Sequence, residues 1–468
     1  RDWSVTGVQT CALPIYLREG FSDAYRTLQA VLVAQGKVED GLVVEEQGRA
    51  RAILGLLAAK TGGDATVPDP TIADLKAVAQ RQDTTLVSYS VLYDQPRMRW
   101  GNRLDQLPQE KTLLIWVVQP SGDVTLRQVD LQQFWQDAGG AGDIGNSRPN
   151  LETDFEASFD TPLESLIKDS RQAIGVPGRG FNLAWRAQDN PSQTLIPELQ
   201  RLHQLLIEPV GDLLPRDPTA TVTFIPQDML FFTPFTALQD PAGTFFIEAH
   251  TPVTAPSIQF LALADERQQQ LGRNAINSSA LVVGNPTMPQ VRVNVNGPLQ
   301  QLPELPGAEL EADAIATLLD TDPLVGAAAS EAAVVSQFSN ARIIHLATHG
   351  LLDPIYGFQS ALAFAPGAGE DGLLRTRDII HCDRQAELVV LSACDTGRGR
   401  LTGDGVIGLA RSFMGAGVPS IVVSLWAIPD APTARLMTEF YRQLDQGQSK
   451  AQALRQAMLE TQKTHPHP

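Results

Sequence analysis

The sequence predicts an α/β fold built on a mainly parallel sheet flanked by helices. From about residue 220 onward, short β-branched apolar runs alternate with segments of helical periodicity. Those runs are apolar throughout rather than every second residue, the pattern of strands covered by helices on both faces. Size agrees: 468 residues, 43% hydrophobic and 19% charged, suffice for two to four domains with their own cores.

The elements follow in order. Residues 1–15 are set aside as an artefact, because V-T-G-V-Q-T-C-A-L-P-I (Val5 to Ile15) reads as the translation of a sequencing-adapter oligonucleotide. On that reading Cys11 is foreign and the native N-terminus is missing. Over residues 16–60, Leu28, Val31 and Leu32, then Leu42, Val43 and Val44, then Ala52, Ile53, Leu56 and Leu57 recur at helical spacing. A break at Gly36-Lys37 makes this a helical hairpin. Residues 61–75, rich in Gly and Pro from Thr61 to Pro70, predict a linker. Residues 76–300 open with strands at Thr84 to Tyr93, Thr112 to Val118 and Asp123 to Val129, the last two joined by Pro120-Ser121-Gly122. Helices are expected at Leu163 to Ile174 and Leu195 to Leu206. Strands are expected at Ala220 to Pro226, Ala280 to Gly284, Ala341 to Gly350, Glu387 to Cys394 and Ser420 to Trp426. Further helices are expected at Glu309 to Leu319, Val406 to Met414 and Thr433 to Leu444, and residues 301–468 form a second part of the α/β region.

Bulk chemistry narrows the partners. A formal charge of -17 repels phosphate backbones and anionic lipid heads, so no direct nucleic-acid partner is expected. No run of eighteen apolar residues is present, so no membrane span is expected. Three cysteines, Cys11, Cys382 and Cys394, are too few for a disulfide framework and point to a reducing, cytoplasmic setting.

The chemistry concentrates where two consecutive apolar strands end alike. R-I-I-H-L-A-T-H-G closes on His349-Gly350, and L-V-V-L-S-A-C-D closes on Cys394-Asp395. The 45 positions from His349 to Cys394 leave room for one crossover, so neighbouring parallel strands bring imidazole and thiol to one sheet edge, where ligands of such sheets collect. A thiol is only a few per cent ionised at neutral pH, and an adjacent imidazole supplies the missing activation for acyl transfer. The N–H groups of Gly350 and Cys394 are candidates to hold a developing oxyanion.

Blander readings compete. A cysteine ending a strand is usually a small buried hydrophobe. His345 and His349, four apart, would make a metal pair on a helix, but on a strand they lie roughly 13 Å apart, so no metal site is expected. His345 is expected to pack inside the sheet, and His381 and Cys382 to form a surface loop. G-D-G-V-I-G (Gly403 to Gly408) matches the dinucleotide fingerprint, with Asp430 about twenty residues on. Its first glycine does not follow directly on the strand, so Gly405 and Gly408 are read instead as packing glycines, and the loop from Asp395 to Asp404 as lining a substrate cleft. No G-x-S-x-G elbow supports a serine hydrolase.

The motifs H-L-A-T-H-G, L-V-V-L-S-A-C-D-T-G and G-D-G-V-I-G-L-A-R-S-F-M-G-A-G-V-P-S-I-V-V-S-L-W, with the upstream helical unit, resemble the CHAT family: caspase-like cysteine peptidases attached to tetratricopeptide repeats. The resemblance runs from Thr84 to the C-terminus. It implies a caspase-like sheet, a degenerate pseudo-caspase half before about residue 300, His349 as general acid/base, Cys394 as nucleophile, and no required third member. S-L-W-A-I-P-D places Asp430 where separase carries an aspartate that pairs with a substrate arginine. Asp430, Ser424 and Trp426 would then shape a pocket selecting Arg or Lys, although Pro429 departs from the separase pattern. Residues 16–60 resemble the last unit of a tetratricopeptide array, and family members continue past His465-Pro466 into a tryptophan-containing strand, so both ends are expected to be cut. The expected function is a bacterial cysteine endopeptidase acting on a protein or peptide substrate without cofactor, and regulated by a protein bound to the repeats. The alternatives are a catalytically silent interaction scaffold and, third, a dinucleotide-binding oxidoreductase.

Overall fold

Two five-stranded sheets organise the chain, each sandwiched between helices. The structure, a computed structural model, describes residues 22–49, 51–60, 67–94, 109–137, 161–175, 195–273, 279–292, 298–351, 360–367, 369–382, 385–392, 400–402, 405–425 and 430–465.

The N-terminal segment holds helices α1 (Ser22–Ala34), α2 (Val38–Gln47) and α3 (Arg51–Lys60), where the sequence predicts a hairpin of two. Gly36, at φ +74, makes the expected turn. A second break falls at Gly48, whose N–H returns to the Glu45 carbonyl. The helices cover neighbouring structure: Leu42 of α2 is fully buried with Trp116, Leu75 and Val78, and Leu54 and Leu57 of α3 with Phe260 and Ala264. Residues 72–75, expected in the linker, instead begin a helix, α4 (Ile72–Gln82). A reciprocal capping box starts it, Thr71 N–H donating to the Asp74 carboxylate at 2.9 Å and Asp74 N–H to Thr71 Oγ1 at 3.3 Å.

The first sheet comprises β1 (Thr84–Tyr93), β2 (Glu110–Val118), β3 (Val124–Asp130), β4 (Thr221–Ile225) and β5 (Thr251–Thr254) in the order β3-β2-β1-β4-β5. β1, β2 and β3 pair antiparallel, whereas β1, β4 and β5 run parallel. Helix α5 (Leu131–Asp137) follows β3. One face packs on α6 (Pro162–Ala173) and α7 (Pro197–Leu206), the other on α2, α4 and α8 (Ile258–Arg273). A buried ionic cluster fastens α2 to this sheet. Arg49 donates to the carbonyls of Pro226 (2.6 Å) and Tyr89 and to the Glu45 carboxylate, while Glu46 accepts the N–H groups of Ile258 (2.9 Å) and Gln259 (3.1 Å) at the start of α8.

In the second half the chain passes through β6 (Ser279–Pro286), a small ribbon of β7 (Gln290–Arg292) and β8 (Leu299–Gln301), and α9 (Pro306–Leu318). It continues through β9 (Leu324–Gly326), α10 (Glu331–Gln337), β10 (Ala341–Ala347), β11 (Gly350–Leu351), β12 (Ala361–Ala363), β13 (Leu373–Arg375), α11 (Thr376–His381) and β14 (Leu388–Ser392). Last come β15 (Arg400–Thr402), β16 (Gly405–Ile407), α12 (Leu409–Gly415), β17 (Ile421–Val423), α13 (Asp430–Asp445) and α14 (Lys450–Gln462). The sheet order is β17-β14-β10-β6-β9, and every pairing is parallel. Helices α10, α11 and α12 bury one face through Val334, Phe338, Ile379 and Phe413; α9, α13 and α14 bury the other through Ile315, Phe440 and Ala457. This is the α/β class expected, with a parallel sheet flanked by helices.

Three local expectations need correction. Val406 and Ile407 do not begin a helix but pair in the β15–β16 ribbon, and α12 starts at Leu409. The strand expected to run unbroken from Ala341 to Gly350 breaks at Thr348-His349, where the chain turns into the antiparallel β11-β12-β13 sheet. His381 closes α11 rather than lying in a loop, and Cys382 behind it packs partly buried against the second core. Among the described residues no helix is long and apolar enough to cross a membrane.

Candidate active site

The central ladder of the second sheet pairs Ile343 with Leu388 and continues without a shift to Ala347 with Ser392. Each pair is 45 positions apart, the same interval that separates His349 from Cys394 (394 − 349 = 45). On its other side β10 pairs with β6, Ala347 opposite Gly284, so the carboxyl ends of β6, β10, β14 and β17 share one sheet edge.

Two bonds to one residue make the corner at which His349 sits. Thr348 Oγ1 donates to the Ala363 carbonyl at 2.5 Å, and Ala363 N–H donates to the His349 carbonyl at 3.0 Å. The second bond makes Gly350 and Leu362 a non-hydrogen-bonded pair of the antiparallel ladder, so the Gly350 N–H is directed away from β12. The His349 side chain is buried, and its Nε2 lies 2.9 Å from the carbonyl oxygen of Pro303. A carbonyl can only accept, so this contact keeps a proton on Nε2 and leaves Nδ1 as the basic nitrogen of the neutral ring. The sequence reading missed Pro303, because a backbone acceptor has no residue signature. The available signal was L-P-E-L-P (Leu302 to Pro306), two prolines bracketing a dipeptide ahead of a helix.

Of the other predicted residues, Cys394, Asp395 and Trp426 lie outside the described residues. Asp430 is the first residue of α13, and Ser424 is half-buried just beyond β17, two strands from β10. The backbone beside Ser424 is held from the other half of the molecule. Arg171 of α6, buried, donates from Nη2 to the Leu425 carbonyl at 2.7 Å and from Nη1 to the Phe232 carbonyl at 3.2 Å. Its guanidinium stands 5.6 Å from the centre of the Phe232 ring. The turn Asp228–Phe232 also lies against the β15–β16 ribbon, and Arg411 of α12 reaches over the Phe231 ring at 5.5 Å. Sequence reasoning missed this contribution too, since Arg171 and Leu425 are 254 residues apart.

His345 packs inside the sheet and is fully buried. Its Nδ1 lies 3.3 Å from the Tyr441 hydroxyl. Its Nε2 comes within 3.0 Å of Glu311 Oε1 at an angle that makes no hydrogen bond, so that contact is proximity of charge-bearing atoms. Burial, and then the neighbouring Glu311 carboxylate, push the Tyr441 hydroxyl well above its usual pKa. No group of three or more His, Cys, Asp or Glu side chains with metal-binding geometry occurs among the described residues. At the dinucleotide-like motif, Gly405 opens β16 and α12 runs for only seven residues, so a two-stranded ribbon occupies the place where the fingerprint needs a strand-to-helix turn.

Residues 197–468 match the CHAT domain, more than half of the chain. The chain belongs to the CHAT domain family. The CHAT match contains Pro303, His349, Gly350, Cys394, Ser424 and all five strands of the second sheet; α1 to α6 and β1 to β3 precede it. Tetratricopeptide repeat protein 28 of Mus musculus is 27% identical over 318 residues and its Homo sapiens counterpart 28% identical over 323, each alignment covering 58% of this chain. The chain spans only 13% of the length of either relative. Two crystal structures of the Saccharomyces cerevisiae separase–securin complex are similar at 11% identity, with TM-scores of 0.45 and 0.43. They cover 91% and 88% of this chain, and 33% and 32% of the matched chain.

Proposed function

We propose that this CHAT protein is a cysteine endopeptidase working through His349 and Cys394. The observation that carries the reading is the unshifted 45-residue register between β10 and β14. It brings Ala347 and Ser392, each two residues before His349 and Cys394, side by side at one sheet edge on strands roughly 4.8 Å apart, which supports a meeting of imidazole and thiol just beyond that edge.

In the proposed cycle His349 Nδ1 takes the proton from Cys394 Sγ, and the thiolate attacks the carbonyl carbon of the scissile peptide. The oxyanion is held by the N–H groups of Gly350 and Cys394, for which the off-ladder direction of the Gly350 N–H is support. The tetrahedral adduct collapses as the imidazolium protonates the departing amine, leaving a thioester. His349 then draws a proton from water, whose hydroxide attacks the thioester, and Cys394 leaves with the proton returned. The loop beginning at Asp395 would line the cleft. Ser424, Trp426 and Asp430 would form the pocket for the residue before the scissile bond, with the Asp430 carboxylate preferring Arg or Lys. Residues 76–300 would serve as a non-catalytic half that braces this pocket, and the helices of residues 16–60 would pass on the state of a bound protein regulator. A reducing, cytoplasmic setting suits such a thiolate.

A peptide library and an electrophilic thiol probe test the proposal. Wild type is expected to cleave and to label at Cys394, and Cys394→Ala to do neither. Loss of Arg or Lys preference in Asp430→Ala supports the pocket. Cleavage that survives Cys394→Ala sinks the mechanism, and a folded wild type that neither cleaves nor labels leaves the scaffold reading in its place.

A further inference from the structure

The segment that carries the Pro303 carbonyl is anchored by a side chain of the neighbouring strand β6. β6 ends in a bulge, its register with β9 shifting between Gly284 and Pro286. The bulged residue, Asn285, adopts φ +42, a left-handed conformation that few residues other than glycine take and that Asn tolerates best. From there its amide makes two bonds. Oδ1 accepts the Leu305 N–H at 2.8 Å, and Nδ2 donates to Glu309 Oε2 at 3.0 Å. Upstream, Leu302 N–H donates to the Pro289 carbonyl at 3.3 Å. Pro303 is therefore suspended between two tethered amides, one residue before it and two after it. Leu305, at φ −121 and ψ 74, stays out of the helical region that Pro306 disfavours for the residue before it, which narrows the freedom of the span. Gly284 brings the anchor close: a Cβ there would lie 2.4 Å from the Ala308 carbonyl oxygen and 2.4 Å from Ala312 Cβ, so the first turns of α9 rest directly on the β6 backbone.

We propose that Asn285 is a positioning residue for the dyad: its amide sets the Pro303 carbonyl against His349 Nε2, which confines the ring proton to that nitrogen and keeps Nδ1 available as the base. The catalytic consequence rests on the peptidase reading; the tautomer does not. The choice of amide follows from the bonds it makes. Aspartate would keep the acceptor for Leu305 N–H but would set a second carboxylate beside Glu309. Glycine would keep the left-handed backbone and lose both bonds, which isolates the side chain's role from its conformation.

The experiment uses the full chain with 15N-labelled histidine, and long-range 1H–15N spectra that distinguish the two neutral tautomers, His349 being assigned by its absence in His349→Gln. Wild type is expected to show the Nε2–H form. Asn285→Gly is expected to raise the Nδ1–H fraction at least tenfold, to lower kcat about 10–100-fold with KM within about twofold, the range typical when an orienting partner is lost, and to move the acidic limb of the pH–rate profile. Asn285→Asp, which retains the acceptor, is expected to keep the wild-type tautomer. An unchanged tautomer ratio in Asn285→Gly overturns the proposal, whatever happens to the rate. Should that variant lose cooperative melting, Asn285→Ser takes its place under the same criteria. If wild type itself cleaves nothing, the peptidase reading fails while the tautomer ratio still decides the role of Asn285.

Discussion

Replacing Arg171 with methionine keeps a long unbranched side chain and removes the charge that ties the segment after β17 to the first half. The bonds that vanish include those at 2.7 Å to the Leu425 carbonyl and 3.2 Å to the Phe232 carbonyl. Hydrogen bonds from a charged donor are worth about 1.5–3 kcal/mol each; of the two, the Leu425 bond reaches the segment after β17, and because Leu425 is half-buried water can replace part of the loss, so a net cost of about 1.5 kcal/mol to that segment is expected. The loss should fall locally, because β17 is three residues long and its ladder partner is β14. A cost of about 1.5 kcal/mol is roughly tenfold in the opening equilibrium of that segment. Hydrogen exchange with mass spectrometry reads this directly: the peptide covering residues 421–425 should exchange about ten times faster in Arg171→Met than in wild type, while β10 and β14 keep their protection. Unchanged exchange at 421–425, or acceleration spread evenly over the second sheet, would refute the view that Arg171 braces the segment after β17.

Two further outcomes follow from the packing. Gly284→Ala forces its new methyl against the Ala308 carbonyl and Ala312, both on helix α9 and unable to swing aside, and should lower stability by about 1–3 kcal/mol in urea titrations; an unchanged midpoint contradicts the close approach. Glu46 is raised to about 7, chiefly by burial and in part by the Glu45 charge, against the lowering effects of Arg49 and of the Ile258 and Gln259 N–H groups. A raised carboxyl binds its proton more tightly folded than unfolded. Its favourable contribution is therefore complete below about pH 4.5 and is lost as pH rises through 7, an amount of up to about 3 kcal/mol. Glu46→Gln, always neutral, should gain on wild type by that order between pH 5 and pH 8 in denaturant titrations, and an equal difference at both pH values contradicts the assignment.

Much of the architecture was legible in the chain. The apolar runs around Leu281, Ile344 and Val389 announced parallel strands because each buries both faces, and the helical spacing near Ile315 and Phe440 announced the layers over them. His349 could be placed just past a strand end for the same reason. Less legible were features that depend on one or two residues against a strong local pattern. The break between α2 and α3 lies at Gly48 inside a helical run, and the ribbon at Val406-Ile407 is written in residues that suit either a strand or a helix. Helix α4 carries its start signal in Thr71 and Asp74, a capping box that stands beside a Gly/Pro-rich stretch.

By itself, then, the sequence determined what is periodic or local: strand and helix identity, and the arrival of a histidine at the end of one apolar run and a cysteine at the end of the next. Only the tertiary structure decided which groups meet there, namely the Pro303 carbonyl on His349, the Asn285 amide behind it, and Arg171 on Leu425. The physical reason is that the acceptors at His349 and Arg171 are backbone carbonyls, which every residue type carries alike. Their partners are selected by register and packing between distant segments, and composition or spacing along the chain holds no record of that choice.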